Sequence, residues 1–261
     1  MTTSSTPFQD GQSRDAAYWA EPVSKLKVGR MPTGALNLNV EGRQVVGPLQ
    51  GFGQMWQKIY RVRLSNAEVK PAAVIKTWKE HFPEFWPKGE RFYAPLTGIA
   101  PGEVALINAV LPGGLPLPVS TGMLVIYADE ECFTLMTPQG HPVAAWITFR
   151  VREEGSYTVA QVEQLLRTDD PIYEAGFRLL GAKGEDKFWQ ETLKALAAHF
   201  NVVDEPVQMH KTCVDPKVQW SEARNVWQNA VIRTMLYKMA SPVLWVGKRL
   251  SSASRVRGKG V

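Results

Sequence analysis

The spacing of apolar residues changes several times along the chain, and each change marks an element. Between Met55 and Leu64, the apolar Trp56, Tyr60, Val62 and Leu64 are set against polar Gln57, Arg61 and Arg63. That is close to the two-residue period of a half-buried strand. KPAAVIKTWKEHFPEF follows, with Pro71 suited to a first helical turn and Val74, Trp78 and Phe82 on one helical face. Pro83 and Pro87 then break the helix. Residues 90–98 and 103–111 read as short strands, and PGGLPLP (112–118) as a stiff, turn-rich loop that could serve as a lid. Strand-like segments come next at 120–128, 131–137 and 144–152. The last alternates Ile147, Phe149 and Val151 with Thr148, Arg150 and Arg152. Residues 157–167 suit a helix as well as a strand, after a hairpin turn at Gly155-Ser156. Asp170-Pro171 has the form of a helix cap followed by proline at the first helical position. That helix loosens around Gly181–Gly184 and resumes with Trp189, Leu193, Leu196 and Phe200 as a helical stripe ending at Asn201.

On either side of this region the pattern weakens. Residues 1–17 read as a polar, disordered leader. Residues 18–54 are dense in Gly and Pro and read as an irregular arm over the body, with Ala35–Val40 as a short strand. Residues 202–216 read as a linker, and about 221–241 as a second, basic helix stopping near Pro242. The expected organisation is a leader and arm at 1–54, a compact domain at 55–203, and a linker with a basic amphipathic tail at 204–261. Strand, helix, several antiparallel strands and a long C-terminal helix predict an α+β fold. A curved antiparallel sheet would wrap around the long helix in a helix-grip arrangement with a cavity between the two.

Three segments strengthen this expectation: TPQGHPVAAWITF (137–149), DDPIYEAGFRLLG (169–181) and FWQETLKALAAHF (188–200). Together they resemble the SRPBCC superfamily of START-like, helix-grip proteins, in a bacterial branch related to polyketide cyclase-like proteins. The resemblance spans roughly residues 55–203, and its most specific piece is the Gly140-His141-Pro142 turn. It implies an internal pocket for an apolar or aromatic molecule. Carriers, sensors and enzymes share the scaffold, so no reaction is implied. The leading expectation is binding or transport of a hydrophobic small molecule, lipid or polyketide-like. An enzyme of the cyclase, aromatase or dehydratase type is the alternative, and a ligand-free interaction module with a filled core is a third. The aromatic cluster Phe85, Trp86, Phe92 and Tyr93, with Trp146, Phe149 and Phe177, supplies the expected ligand contacts.

Other chemistry is sparse. The apolar fraction of 44% and charged fraction of 21% are ordinary for a core-forming protein. The amino terminus has no apolar signal-peptide core. Cys132 and Cys213 make no disulfide framework, so a cytoplasmic, reducing setting is expected. Gly113-Gly114 is no phosphate loop, and the dinucleotide fingerprint is absent, so no cofactor is expected. His210 and Cys213 form an H-x-x-C pair without a second pair, so no metal is expected. His141 is the one candidate general base, though no orienting partner is visible. Asp129–Glu131 and Asp169-Asp170 read as a hairpin turn and a helix cap.

Charge sets the tail apart. Residues 207–261 hold ten Lys or Arg against two acids, while the whole chain nets only +5. Trp220, Trp227 and Trp245 lie among these charges. The most apolar stretch, Val226–Val246, is interrupted by Arg233, Lys238 and Pro242, which argues against a spanning helix. Cations interleaved with large apolar residues fit peripheral contact with an anionic membrane, through Trp220, Trp227, Arg233, Lys238 and Trp245. They fit nucleic acid poorly. A helix packed on the body, or on a second copy in a homo-oligomer, is the competing expectation.

Overall fold

The computed structural model describes residues 16–64, 69–111 and 117–240. Among them, nine strands form one sheet: β1 (Val45–Val46), β2 (Met55–Arg63), β3 (Arg91–Tyr93), β4 (Val104–Leu111), β5 (Leu117–Ala128), β6 (Cys132–Pro138), β7 (Val143–Glu154), β8 (Tyr157–Thr168) and β9 (Gln208–Asp215). The order is β3-β4-β5-β6-β7-β8-β2-β9, with β1 added beside β6. Every pairing is antiparallel. The helices are α1 (Pro71–Glu80), α2 (Pro171–Gly176), α3 (Ala182–His199) and α4, whose described part is 230–240. The curved, unclosed sheet packs around α3, which is a helix-grip α+β fold.

The inner face of the sheet carries Tyr60, Val62, Phe133, Leu135, Ile147, Phe149 and Val162, all at most 1% exposed. They meet Val74, Ile75 and Trp78 of α1 and Trp189, Leu193 and Leu196 of α3. The α3 stripe therefore faces the sheet, with Phe200 half-buried at its end. Asn201 then adopts φ 60°, a left-handed conformation that ends the helix. The ambiguous segment at 157–167 is a strand. It is paired along its length with both β7 and β2, and this non-local ladder outweighs local helix propensity. Between α2 and α3 the chain widens into a π-turn over Phe177–Gly181, close to where the glycines predicted loosening.

The outer face is covered by the arm. Leu26 and Val40 pack with Val104, Leu106 and Leu124. Ala35–Val40 is not a strand. Its Asn39 is buried and donates to Ser120 O at 2.8 Å and Ala230 O at 3.3 Å, so side-chain bonds hold this stretch in place of a ladder. The tail differs more. Residues 202–216 do not simply link two units, because β9 lies among them and pairs with β2. The expected continuous helix from about 221 is instead a run of tight 3₁₀ turns, Trp220–Gln228, followed by α4. Asn229 separates them and caps α4, its Oδ1 accepting from Ile232 N at 3.0 Å.

Leu193 is fully buried where α3 meets the sheet. Leu193→Ala should lower unfolding free energy by about 2–5 kcal/mol through lost burial and the cavity left behind. Urea denaturation followed by circular dichroism checks this. A change under ~1 kcal/mol would place the α3 stripe outside the core.

Candidate functional site

The aromatic residues expected to line one pocket are divided by the structure. Phe85, Phe92 and Phe149 are buried in the inner core, and Trp86 packs against it, with ring centroids 5.0 Å from Phe92 and 4.9 Å from Phe188. Phe149 stacks on Phe133 at 4.5 Å and touches Trp78, Phe82 and Trp189 edge-on or tilted. Tyr93 belongs to the outer cluster under the arm. Trp146 is 41% exposed and lies beside Gly47 at the joint between arm and body. Phe177 sits apart on the π-turn, with the Lys58 ammonium 4.8 Å from its ring centre. The two-residue period of a strand explains the division, because Phe92 and Tyr93, like Trp146 and Phe149, must point to opposite faces. Four of the seven thus pack in or against the inner core, and Phe177 walls the pocket at the open end of the grip.

The grip opens at its other end, where α2, the π-turn and the start of α3 lie over β2, β8 and β9. A pocket of about 200 Å³ there is walled by Trp56, Leu166, Phe177 and Thr168 and by the stems of Lys58 and Lys211. Lys58 is 2% exposed. It pairs with Glu185 and lies 3.5 Å from Asp186, both near the start of α3. Tyr60 donates its hydroxyl to Asp186 at 2.8 Å, and Lys211 also pairs with Asp186. Burial alone would raise the Asp186 pKa. Hydrogen bonds from Lys211 and Tyr60 and the Lys58 charge outweigh it and hold Asp186 below the usual carboxylate value. Burial first, then the adjacent acids, push Tyr60 well up, so it is a donor only. Deeper in, Gln164 lies opposite Lys58 on β8, and its buried Oε1 has no hydrogen-bond partner. Sequence reasoning missed this cluster. A signal was present: Lys58 shares strand parity with Trp56, Tyr60 and Val62, and Gln164 with Val162 and Leu166. Polar residues at core-facing positions need partners.

A third polar group lies where the tail meets the body. His141 is buried, and its Nδ1 lies 3.1 Å from Val143 N and 3.0 Å from Val143 O, within its own turn. Burial lowers its pKa to about 4, so the ring is neutral at pH 7. The Gly-His-Pro turn is a socket for the tail. Gly140 O accepts from Ala230 N at 2.9 Å and from the Tyr173 hydroxyl at 3.2 Å. Gly140 has φ 85°, and a Cβ there would lie 1.9 Å from Gln228 O, so only glycine permits this approach. Asp169 accepts from Gly140 N at 2.9 Å and, through its backbone O, from Asn225 Nδ2 at 3.0 Å. Asp170 caps α2, as the sequence predicts, and also accepts from Asn229 Nδ2 at 2.7 Å. Arg167, 1% exposed, bonds Gly53 O, Lys217 O and Asp215 and fastens the end of β9.

The outward side of the tail is bare. Trp220 is 75% and Trp227 79% exposed, although Trp220 meets the Phe52 ring edge-on at 5.3 Å. Arg233 donates to Asn39 Oδ1 at 3.1 Å, and Lys238 is exposed. Trp245 lies outside the described residues, as do residues 112–116 of the expected lid. Among the described residues, no helix is long and apolar enough to cross a membrane. His210 and Cys213 lie on β9, where residues three apart point to opposite faces and cannot ligate one ion.

No family model matches the chain, and neither does any curated protein. Solved structures similar to it in fold include three remote cases. A START superfamily protein from Mycobacterium smegmatis is 16% identical, covering 57% of this chain and 98% of its own, with TM-score 0.40. Ara h 8.0201 is 16% identical over 56% of this chain and 98% of its own, with TM-score 0.40. A major latex-like protein from Panax ginseng is 11% identical over 57% and 99%, with TM-score 0.37.

The socket makes stability depend on pH. Burial, with smaller contributions from Asp170 and Glu222, pushes the Asp169 pKa up to about 8 against the Gly140 N–H bond. A raised folded-state pKa gives stability that is complete at low pH and lost as pH rises through 8. Asp170 is also raised, mainly by burial. His141, lowered by burial, acts the other way, and its contribution is lost only as pH falls from 6.5 to about 4. Between pH 6.5 and 8, urea stability should therefore fall by an amount of order 1 kcal/mol, and Asp169→Asn should flatten the slope. Parallel slopes in both proteins would remove Asp169 as the cause.

Proposed function

We propose that the protein attaches to anionic membrane surfaces through its C-terminal segment. One observation carries the proposal. Ile232, Met235, Leu236 and Met239 form a helical stripe on α4 that is 39%, 39%, 59% and 72% exposed. On the other side of α4, Ala230, Val231 and Thr234 are buried against the body. The anchored side presents the apolar side already ordered, which lowers the entropy cost of docking. Arg224, Arg233 and Lys238 share the segment, and residues 241–261 add Lys248, Arg249, Arg255, Arg257 and Lys259 without an acid. Each cation near an anionic bilayer contributes about 1 kcal/mol, and each fully inserted Leu or Met about 1.5–3 kcal/mol. Trp220 fits the same contact. Trp227 lines a cleft between tail and arm.

The test is co-sedimentation with phosphatidylcholine vesicles, with and without phosphatidylserine. Leu236→Ser combined with Met239→Ser leaves β9 and the socket intact, whereas deleting the tail would strip both. Full-length protein should pellet with anionic vesicles, less so at high salt, and the double variant should bind at least about tenfold more weakly. Equal pelleting of the two proteins, or none by the unaltered one, rejects the proposal.

A second reading is binding of a small, largely apolar molecule at the open end of the grip. The wall of Trp56, Leu166 and Phe177 supports it, and Gln164, whose buried Oε1 has no partner among the described residues, pairs in register with the pocket-lining Lys58. A hydroxyl-bearing ligand would supply the missing donor. The space suits a small molecule or the end of a longer one. Dodecanol and lauric acid should quench tryptophan fluorescence, and Leu166→Trp should abolish the effect by filling the pocket. Quenching unchanged in that variant would count against this reading. The helix-grip interior beyond the pocket is occupied by its own aromatic rings. The cyclase-type alternative draws no support from His141, whose imidazole is engaged in its own turn.

A further inference from the structure

Outside the grip, the arm and the tail enclose a cleft of about 580 Å³, within the usual size range of small-molecule sites. It is lined by β1 with Gln44 and Gln50, by Gln139 of the β6–β7 turn, and by the tight turns at 222–228. Its chemistry is that of side-chain amides. Gln44 Oε1 accepts from Gln139 Nε2 at 3.2 Å, and Gln50 Oε1 accepts from Gly47 N at 2.8 Å. Asn225 Nδ2 donates to Gln50 O at 2.9 Å, and Gln228 Oε1 accepts from Arg43. Each amide is thus oriented through one of its two polar atoms. Among the described residues the other atom has no partner: Nε2 of Gln44, Gln50 and Gln228 remains a donor, and Oε1 of Gln139 and Oδ1 of Asn225 remain acceptors.

Fixed donors beside fixed acceptors match a ligand whose groups both donate and accept, as vicinal hydroxyls do. Trp227 adds a broad, exposed ring at the wall. The weakly positive C–H face of a pyranose packs on such an electron-rich surface. The lining holds one acid, Glu222, and one base, Arg224, so it carries no net charge that would select a strong anion or cation. An apolar ligand would leave the open amide atoms unpaired, at a cost. We propose that this cleft binds a neutral sugar ring. The sugar could be a free saccharide or the headgroup of a glycolipid, since α4 and its apolar stripe follow directly. The proposal does not depend on attachment to anionic membranes.

The experiment uses full-length protein and two kinds of probe. The free probes are maltotriose, cellotriose and chitotriose, followed by calorimetry. The lipid probe is phosphatidylcholine vesicles with or without galactosyl-diacylglycerol, free of anionic lipid so that the result is separate from the membrane proposal. Binding of a free saccharide, or of the glycolipid vesicles alone, supports the site and identifies the source. In either case Trp227→Ala, at a largely exposed position, should leave the circular-dichroism melt unchanged and weaken binding about tenfold, equivalent to ~1.4 kcal/mol. Leu96→Ala, exposed and remote from the cleft, should leave it unchanged. No binding to any of these probes, or binding insensitive to Trp227→Ala, overturns the proposal.

Discussion

The C-terminal segment is held at the buried Asp169-Asp170 corner and the neighbouring Gly140 turn. Asp169 and Asp170 stand at the end of β8, where each could simply cap a helix. Only Asp170 does so, and its carboxylate also accepts from Asn229 of the tail, while Asn225 donates to the Asp169 backbone O at 3.0 Å and reaches the carboxyl only at 3.4 Å. Buried acids are costly unless hydrogen-bonded, so the tail satisfies a need that the body creates. The same contact fixes Gly140 against Gln228 and the Tyr173 hydroxyl against Val231 N at 3.1 Å. The exposed stripe of α4 and the amide-lined cleft both depend on this attachment, because each is built from the outward side of an anchored segment.

A second constraint acts inside the grip. One end of α3 is held by apolar packing of Trp189, Leu193 and Leu196, and the other by Lys58 with Glu185 and Asp186. Removing one partner of such a buried cluster would leave uncompensated charge, so the cluster acts as a clamp more than as a source of net stability. The aromatic rings around Phe149 fill the space between the ends. The pocket at the open end of the grip, about 200 Å³, is small and lies close to these charges.

Much of the architecture was legible where neighbours in the chain decide the outcome. The strand at Met55–Arg63, the cap at Asp170 and the α3 stripe follow from two-residue and three-to-four-residue spacings. The candidate site was less legible. Composition groups Tyr93 and Trp146 with Phe92 and Phe149, whereas strand parity sends the members of each pair to opposite faces and does not by itself say which face is inner. His141 was conspicuous for its Gly-His-Pro setting, and that setting proved to be a socket whose function belongs to Gly140.

The sequence by itself determined the periodic elements, the helix-grip order and the cationic, tryptophan-bearing character of the tail, because these reside in residues close together along the chain. Tertiary structure alone decided that 157–167 is a strand, that 208–215 joins the sheet, and that Lys58 meets Glu185 across a separation of 127 residues. Such pairings are selected by burial and hydrogen-bond satisfaction in the folded core. No local propensity encodes them, and so the faces that are open to a ligand or a membrane emerge only once the interior has been filled.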